Sequence, residues 1–99
     1  MHFPFTRDGF RHELYGRTGA VCLVERTNLR TGARHWEVVV LQHEPEKTMH
    51  GRLVPAHERY PASGEWGTYG WTYTTVTDAR QKWASLAETR SQKGGSHAA

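Results

Sequence analysis

The chain has 99 residues, 36% of them hydrophobic, a formal net charge of +3 and a single cysteine. That length holds one domain around one compact core, and Cys22 standing alone excludes an internal disulfide. With no secretory signal and no apolar run long enough to span a bilayer, the expectation is a soluble protein of the cytoplasm without a membrane partner.

Of the 13 basic residues, Arg90 and Lys93 lie in a polar tail, which leaves 11 against 10 acidic residues in the body. The sequence pI of 9.4 therefore overstates any basic surface. Residues 1–34 concentrate six arginines against three acids, and this third alone offers the several phosphate contacts that a nucleic-acid grip needs. The longest acidic grouping is Glu44 with Glu46, so blocking a protein surface or occupying an interface is expected ahead of imitating DNA with a dense acidic surface.

Residues 1–6 read as a short extended arm whose rings, Phe3 and Phe5, dock on the body. Phe10 to Tyr15 reads as a first strand with Phe10, His12 and Leu14 on one face, closed by a tight turn over Gly16-Arg17-Thr18-Gly19. Ala20 to Thr27 is a strand rich in strand formers, with Cys22 behaving as a small hydrophobe. Asn28 to Ala33 is a hairpin loop in which Asn28 and Gly32 tolerate positive φ. Arg34 to His43 returns with Trp36, Val38 and Val40 on one face and Val39 and Leu41 on the other, the pattern of a strand central in its sheet. Residues 44–57 form a polar connection broken by Pro45, Gly51 and Pro55, with a short edge strand at Leu53 and Val54.

From Glu58 to Val76 the chain gathers five of its eleven aromatic residues, Tyr60, Trp66, Tyr69, Trp71 and Tyr73, with Gly64, Gly67 and Gly70 between them. Large rings carry much of a small core and glycines let the backbone fold tightly between them, so the stretch reads as an aromatic loop running into a strand at 71–75. Thr75-Val-Thr-Asp78 matches a helix-capping box. Val76, Ala79, Trp83, Leu86 and Ala87 then share one helical face, with Arg80, Gln81, Lys82, Ser85 and Glu88 opposite. The prediction is one α+β domain over residues 1–89: an antiparallel sheet of three to four strands, an aromatic loop across one end, and a C-terminal helix packed on a sheet face. Residues 90–99 have nothing to bury and read as a disordered tail.

The pattern Glu58-x-Tyr60-Pro61-x4-Trp66-Gly67-x2-Gly70-Trp71-Thr72-Tyr73, together with Gly16-Arg17-Thr18-Gly19 and His35-Trp36-Glu37-Val38-Val39, resembles a family of small bacteriophage and prophage accessory proteins. The likeness covers roughly residues 5–88. It brings no catalytic residues. It implies an accessory protein of an infected bacterial cell that binds host machinery, CRISPR–Cas complexes and other defences among it.

The chemistry-bearing residues are scattered. Seven histidines include His43, His50 and His57 at seven-residue intervals, but neither His43-Glu44 nor His57-Glu58 has the second histidine of a helical zinc motif, and Pro45 and Pro61 oppose a helix there. No metal and no cofactor is expected. Cys22 sits between Val21 and Leu23, a setting for a buried thiol and not for a nucleophile. No nucleophile elbow or phosphate-binding glycine loop is present, and no catalytic residue is assigned. The expectation is a noncatalytic binding protein that inhibits or redirects a host protein or ribonucleoprotein complex, with anti-CRISPR or other anti-defence activity as its sharpest form. Its contact residues are Arg26, Arg30, Arg34 and Trp36 at the hairpin and Tyr60, Trp66 and Tyr69 in the loop, because arginine and aromatic residues dominate interface hot spots. The alternative is a small nucleic-acid-binding protein that uses the same arginine and aromatic hairpin to stack bases and neutralise phosphates.

Overall fold

The structure, a computed structural model, describes residues 1–96, with side chains as far as Arg90. Among the described residues nine strands and one α-helix follow in chain order, with a single 3-10 turn at Ser63–Glu65 between the last two strands: β1 (Phe5–Arg7), β2 (Phe10–Thr18), β3 (Val21–Asn28), β4 (Arg34–Val40), β5 (Gln42–Glu44), β6 (Lys47–Met49), β7 (Arg52–Val54), β8 (His57–Arg59), β9 (Gly70–Tyr73) and α1 (Val76–Ser96). The main sheet is antiparallel, ordered β1-β2-β3-β4-β9. With α1 packed on one face it is an α+β fold. Among the described residues no helix is long and apolar enough to cross a membrane.

The sheet has five strands because the N-terminal arm is itself an edge strand. Asp8 and Gly9 both adopt positive φ, 52° and 81°, the backbone of a two-residue hairpin turn suited to Asp-Gly. That turn pairs Phe5 with His12 and Arg7 with Phe10. The next turn falls at Gly19 and Ala20, not across 16–19. Gly16 lies inside β2, beside a bulge between Leu14 and Gly16, where the Trp83 ring presses on the backbone: a Cβ at Gly16 would stand 2.8 Å from Trp83 Cη2. The β3–β4 loop turns on Gly32 at φ 77°. Asn28 contributes through its side-chain oxygen, which accepts the amides of Arg30 and Thr31.

Central strands β3 and β4 are apolar on both faces. Val21, Leu23, Val38 and Val40 face α1 with Ala79, joined by Trp36, Trp71, Tyr73, Trp83 and Leu86. Cys22, Val24, Val39 and Leu41 face the other way, where Tyr60 covers them with Met1, Phe3, Phe5 and Trp66. The helix begins with Thr75 Oγ1 accepting the Asp78 amide at 3.3 Å. Its inward face is the anticipated one, with Ala79 fully buried and Trp83 Nε1 donating to the Val21 carbonyl at 3.1 Å. Lys82, anticipated on the outer face, instead lies over the Trp71 ring at 4.2 Å. The helix runs past residue 89 to Ser96; residues 97–99 of the anticipated disordered tail lie outside the described residues.

Between β4 and β9 the chain leaves the sheet. Residues 42–59 fold back as a ribbon, β5 pairing with β8 and β6 with β7, closed by His50 and Gly51 at positive φ. The single edge strand anticipated at 53–54 is thus one rung of a hairpin. Arg17 pins the ribbon's base to β2 through Glu58 at 2.6 Å.

Trp83 anchors α1, so Trp83→Ala lowers stability by about 3 kcal/mol. Gly16→Ala, which drives a methyl into that ring, costs about 1–3 kcal/mol. Urea denaturation of the two single variants and the double variant checks both: the cost of Gly16→Ala shrinks once Trp83 is gone, and equal cost in both backgrounds contradicts the contact.

Candidate functional site

Strand alternation places Arg7, Phe10, His12, Arg26, Glu37 and Thr72 on the face opposite α1. This follows from the register, which sets Arg7 opposite Phe10, His12 opposite Arg26 and Glu37 opposite Thr72. The loop after β8 crosses this face, carrying Tyr60, Pro61, Ser63 and Trp66. Together these residues border an open groove of about 300 Å³.

Under the groove lies a polar cluster in an otherwise apolar layer. Glu37 is 3% exposed and His12 6%. The Tyr60 hydroxyl donates to Glu37 Oε1 at 2.5 Å, and Arg26 Nη1 donates to Glu37 Oε2 at 3.2 Å. His12 Nε2 stands 3.6 Å from Glu37 Oε1. A buried carboxylate is tolerated only when its charge is paired and its lone pairs are taken up, and Tyr60 and Arg26 meet that demand. Burial first, then the charge and hydrogen bond of Glu37, raise the Tyr60 pKa far above its ordinary value, so Tyr60 stays a hydrogen-bond donor. Burial also lowers the His12 pKa, aided by Arg26 and Arg7 and opposed by Glu37 and the Phe10 backbone. His12 stacks on Phe5 at 4.4 Å and meets the Tyr60 ring edge-on at 5.7 Å.

The groove walls are flat groups. Arg26 lays its guanidinium over the Phe10 ring, 4.4 Å from the centroid. Trp66 rests on Gly70, where an added Cβ would come within 2.6 Å of the indole, and its Nε1 donates to Thr72 Oγ1 at 3.0 Å. The loop bearing Tyr60 and Trp66 is held from below by Arg59, which binds Glu44 through Nε at 2.5 Å and Glu65 through Nη1 at 2.6 Å. These bonds hold both carboxyl groups below the usual range. Glu65 Oε1 also accepts the Ala62 amide at 2.9 Å.

The seven anticipated contact residues therefore do not form one patch. Arg26, Tyr60 and Trp66 meet at the groove. Arg30 and Arg34 are exposed at the β3–β4 turn. Trp36 faces the helix side, edge-on to Tyr15 at 5.0 Å. Tyr69 is partly exposed beside β9, its carbonyl taken by the Val40 amide. Phe10, His12, Glu37 and Arg7 are site residues the sequence reading did not single out. A charged residue at an inward position of a strand as apolar as Trp36–Val40 is the signal that points to Glu37.

Cys22 is completely buried and its thiol is pushed up to about 11 by that burial, so it is not a thiolate at neutral pH. His43 and His57 sit opposite Glu58 and Glu44 on the ribbon. Among the described residues no three His, Cys, Asp or Glu side chains converge to hold a metal ion. Comparison with protein-family models, with curated proteins and with solved structures returns no match.

Two outcomes follow from the cluster. Tyr60→Phe leaves a buried carboxylate short of a donor and costs about 1–3 kcal/mol in urea unfolding at neutral pH. Because the folded-state pKa of His12 lies below the unfolded value of 6.5, the unfolded chain binds this proton first. Stability is full above 6.5 and falls as the pH drops through it toward the lower folded value. Unfolding midpoints measured across that window in the wild type and in His12→Phe check this: the variant's profile is flatter, and identical slopes refute it.

Proposed function

We propose that the protein acts by binding, without catalysis, and that the groove side of the sheet is its contact face. The observation carrying this reading is that the buried carboxylate under the groove is spent on its neighbours. Glu37 takes Tyr60 and Arg26, is nearly sealed from solvent, and holds those side chains rigid. What reaches outward is arginine and ring surface: Arg7, the Arg26–Phe10 stack and Trp66. That is the composition of interface hot spots, set in advance by its supports, which lowers the ordering cost of association.

In its sharpest form the reading is a phage-type accessory protein of the bacterial cytoplasm that attaches to a host protein or ribonucleoprotein complex and inhibits or redirects it, as an anti-CRISPR or other anti-defence factor. The resemblance of residues 58–75 to small phage accessory proteins supports that context. The hairpin form of the nucleic-acid reading has less support, since Arg26 lies on the face opposite the one that carries Trp36 and Arg34.

Tagged protein is used to recover partners from a bacterial host, with Arg7→Ala and Trp66→Ala prepared alongside and their folding checked by circular dichroism. The wild type recovers a defined assembly, and the folded variants lose it. An assembly recovered equally by both variants refutes the groove as the contact face. Turnover of a substrate by the purified protein, abolished in Glu37→Gln, refutes the noncatalytic reading.

A further inference from the structure

The groove has three properties that together restrict what it takes. Its polar lining is charge-balanced, Arg7 and Arg26 against Asp8 and Glu37. A bare anion or cation therefore meets no net attraction at the floor. Its walls are planar, the guanidinium of Arg26 stacked on Phe10 on one side and the indole of Trp66 on the other. Trp66 Nε1 is bonded to Thr72, which stands opposite Glu37, and Glu37 Oε2 takes Arg26 Nη1, so the two planar groups border the same short stretch of floor.

The rest of the lining distinguishes among flat rings. Ser63, Thr72, Arg26 and His12 line the groove with hydrogen-bonding groups. A purely apolar ring would desolvate such groups without replacing their partners, which is costly. A ring with donors and acceptors along its edge replaces them. At the groove's mouth Arg7 is 54% exposed and only loosely paired with Asp8, at 4.0 Å. Arg30 lies at the same end of the sheet, where the Leu29 amide joins the Gly9 carbonyl at 3.0 Å.

We infer that the groove binds a nucleobase between Trp66 and the Arg26–Phe10 stack, with Arg7 at its mouth receiving the attached phosphate. Stacking of bases on rings tolerates any base, because every base has a π-face. The shared chemistry is a nucleotide, either free or as an unpaired residue of a single strand. The inference rests on the binding reading of this face and names what the partner inserts there: in a ribonucleoprotein partner, an exposed nucleotide of its RNA.

The test uses the isotope-labelled full chain and amide and indole NMR shifts, titrated with adenosine, AMP, UMP, a short single-stranded oligoadenylate, and ribose 5-phosphate as the ring-free control. Adenosine, AMP and UMP shift the Trp66 indole and the Thr72 amide, and ribose 5-phosphate does not. Arg7→Ala, an exposed change that leaves the fold intact, weakens AMP and spares adenosine. Trp66→Ala weakens both by about tenfold or more, the effect of losing a stacking ring. Gly70→Ala, which displaces the indole and its bond to Thr72 while keeping the ring in the chain, moves affinity the same way if Trp66→Ala fails to fold. Oligoadenylate binding more tightly than AMP identifies a strand as the source, and equal affinity identifies the free nucleotide. Absence of shifts at the groove with all three base-bearing monomers and the oligonucleotide overturns the inference, as does equal response to ribose 5-phosphate. Neither negative result touches partner recovery by the tagged protein, so this inference fails separately from the binding reading.

Discussion

The constraint on which the structure depends is that β3 and β4 are apolar on both faces. Val21 to Val24 and Val38 to Val40 are all buried, so both sides of the sheet must be covered, and among the described residues one α-helix is there to do it. The helix takes the side with Val21 and Val38. The other side is closed by pieces that carry no regular structure of comparable length: the N-terminal residues with their two phenylalanines, and the loop from Tyr60 to Trp66. A cover made of separate pieces does not meet edge to edge as a helix does. The groove is the seam left between them, and its position follows from the way a chain of this size covers the second face.

A loop cover also needs fixing, and the buried cluster does this. A carboxylate inside an apolar layer is unfavourable by itself, yet Glu37 gathers one ligand from the loop and one from a neighbouring strand, and so ties Tyr60 to β3 and β4. Polar clusters of this kind favour one arrangement over near alternatives when fully satisfied. Arg59 does the equivalent work at the surface by holding Glu44 and Glu65 at once. Two glycine contacts complete the fixing: Trp83 on Gly16 from the helix side and Trp66 on Gly70 from the loop side. In both cases an indole approaches the sheet more closely than any residue with a Cβ allows.

The legible parts of the sequence were those governed by one local rule. Alternation along 34–41 assigns each side chain to its face, and helical spacing after Thr75 locates Ala79 and Trp83 against the sheet. The fold class follows from these. The fifth strand was carried by the Asp8-Gly9 pair, a hairpin signal masked by the short reach of residues 1–6. Gly16 and Gly19 look alike in sequence; a distant tryptophan decides that one is a strand residue and the other a turn. The ribbon at 42–59 hid for a related reason, since its strands are three residues long and too short for a period to emerge.

The candidate site was the least legible part because it is assembled across five strands and a loop. Arg26 reads as a hairpin arginine beside Arg30 and Arg34, and counting along the strand is enough to separate them: Arg26 shares the parity of Cys22 and Val24 and points away from the helix, whereas Arg34 shares the parity of Trp36 and Val38. Parity alone, however, does not say what stands opposite. That Glu37 faces Arg26 diagonally across β3 and β4, and that Tyr60 returns from twenty-three residues further along to meet it, depends on the register of two hairpins and the course of a loop. The rings between Tyr60 and Trp66 do frame a histidine and a carboxylate, but those ionisable groups form the foundation of the groove, and its exposed walls are an indole and an arginine-capped phenyl ring.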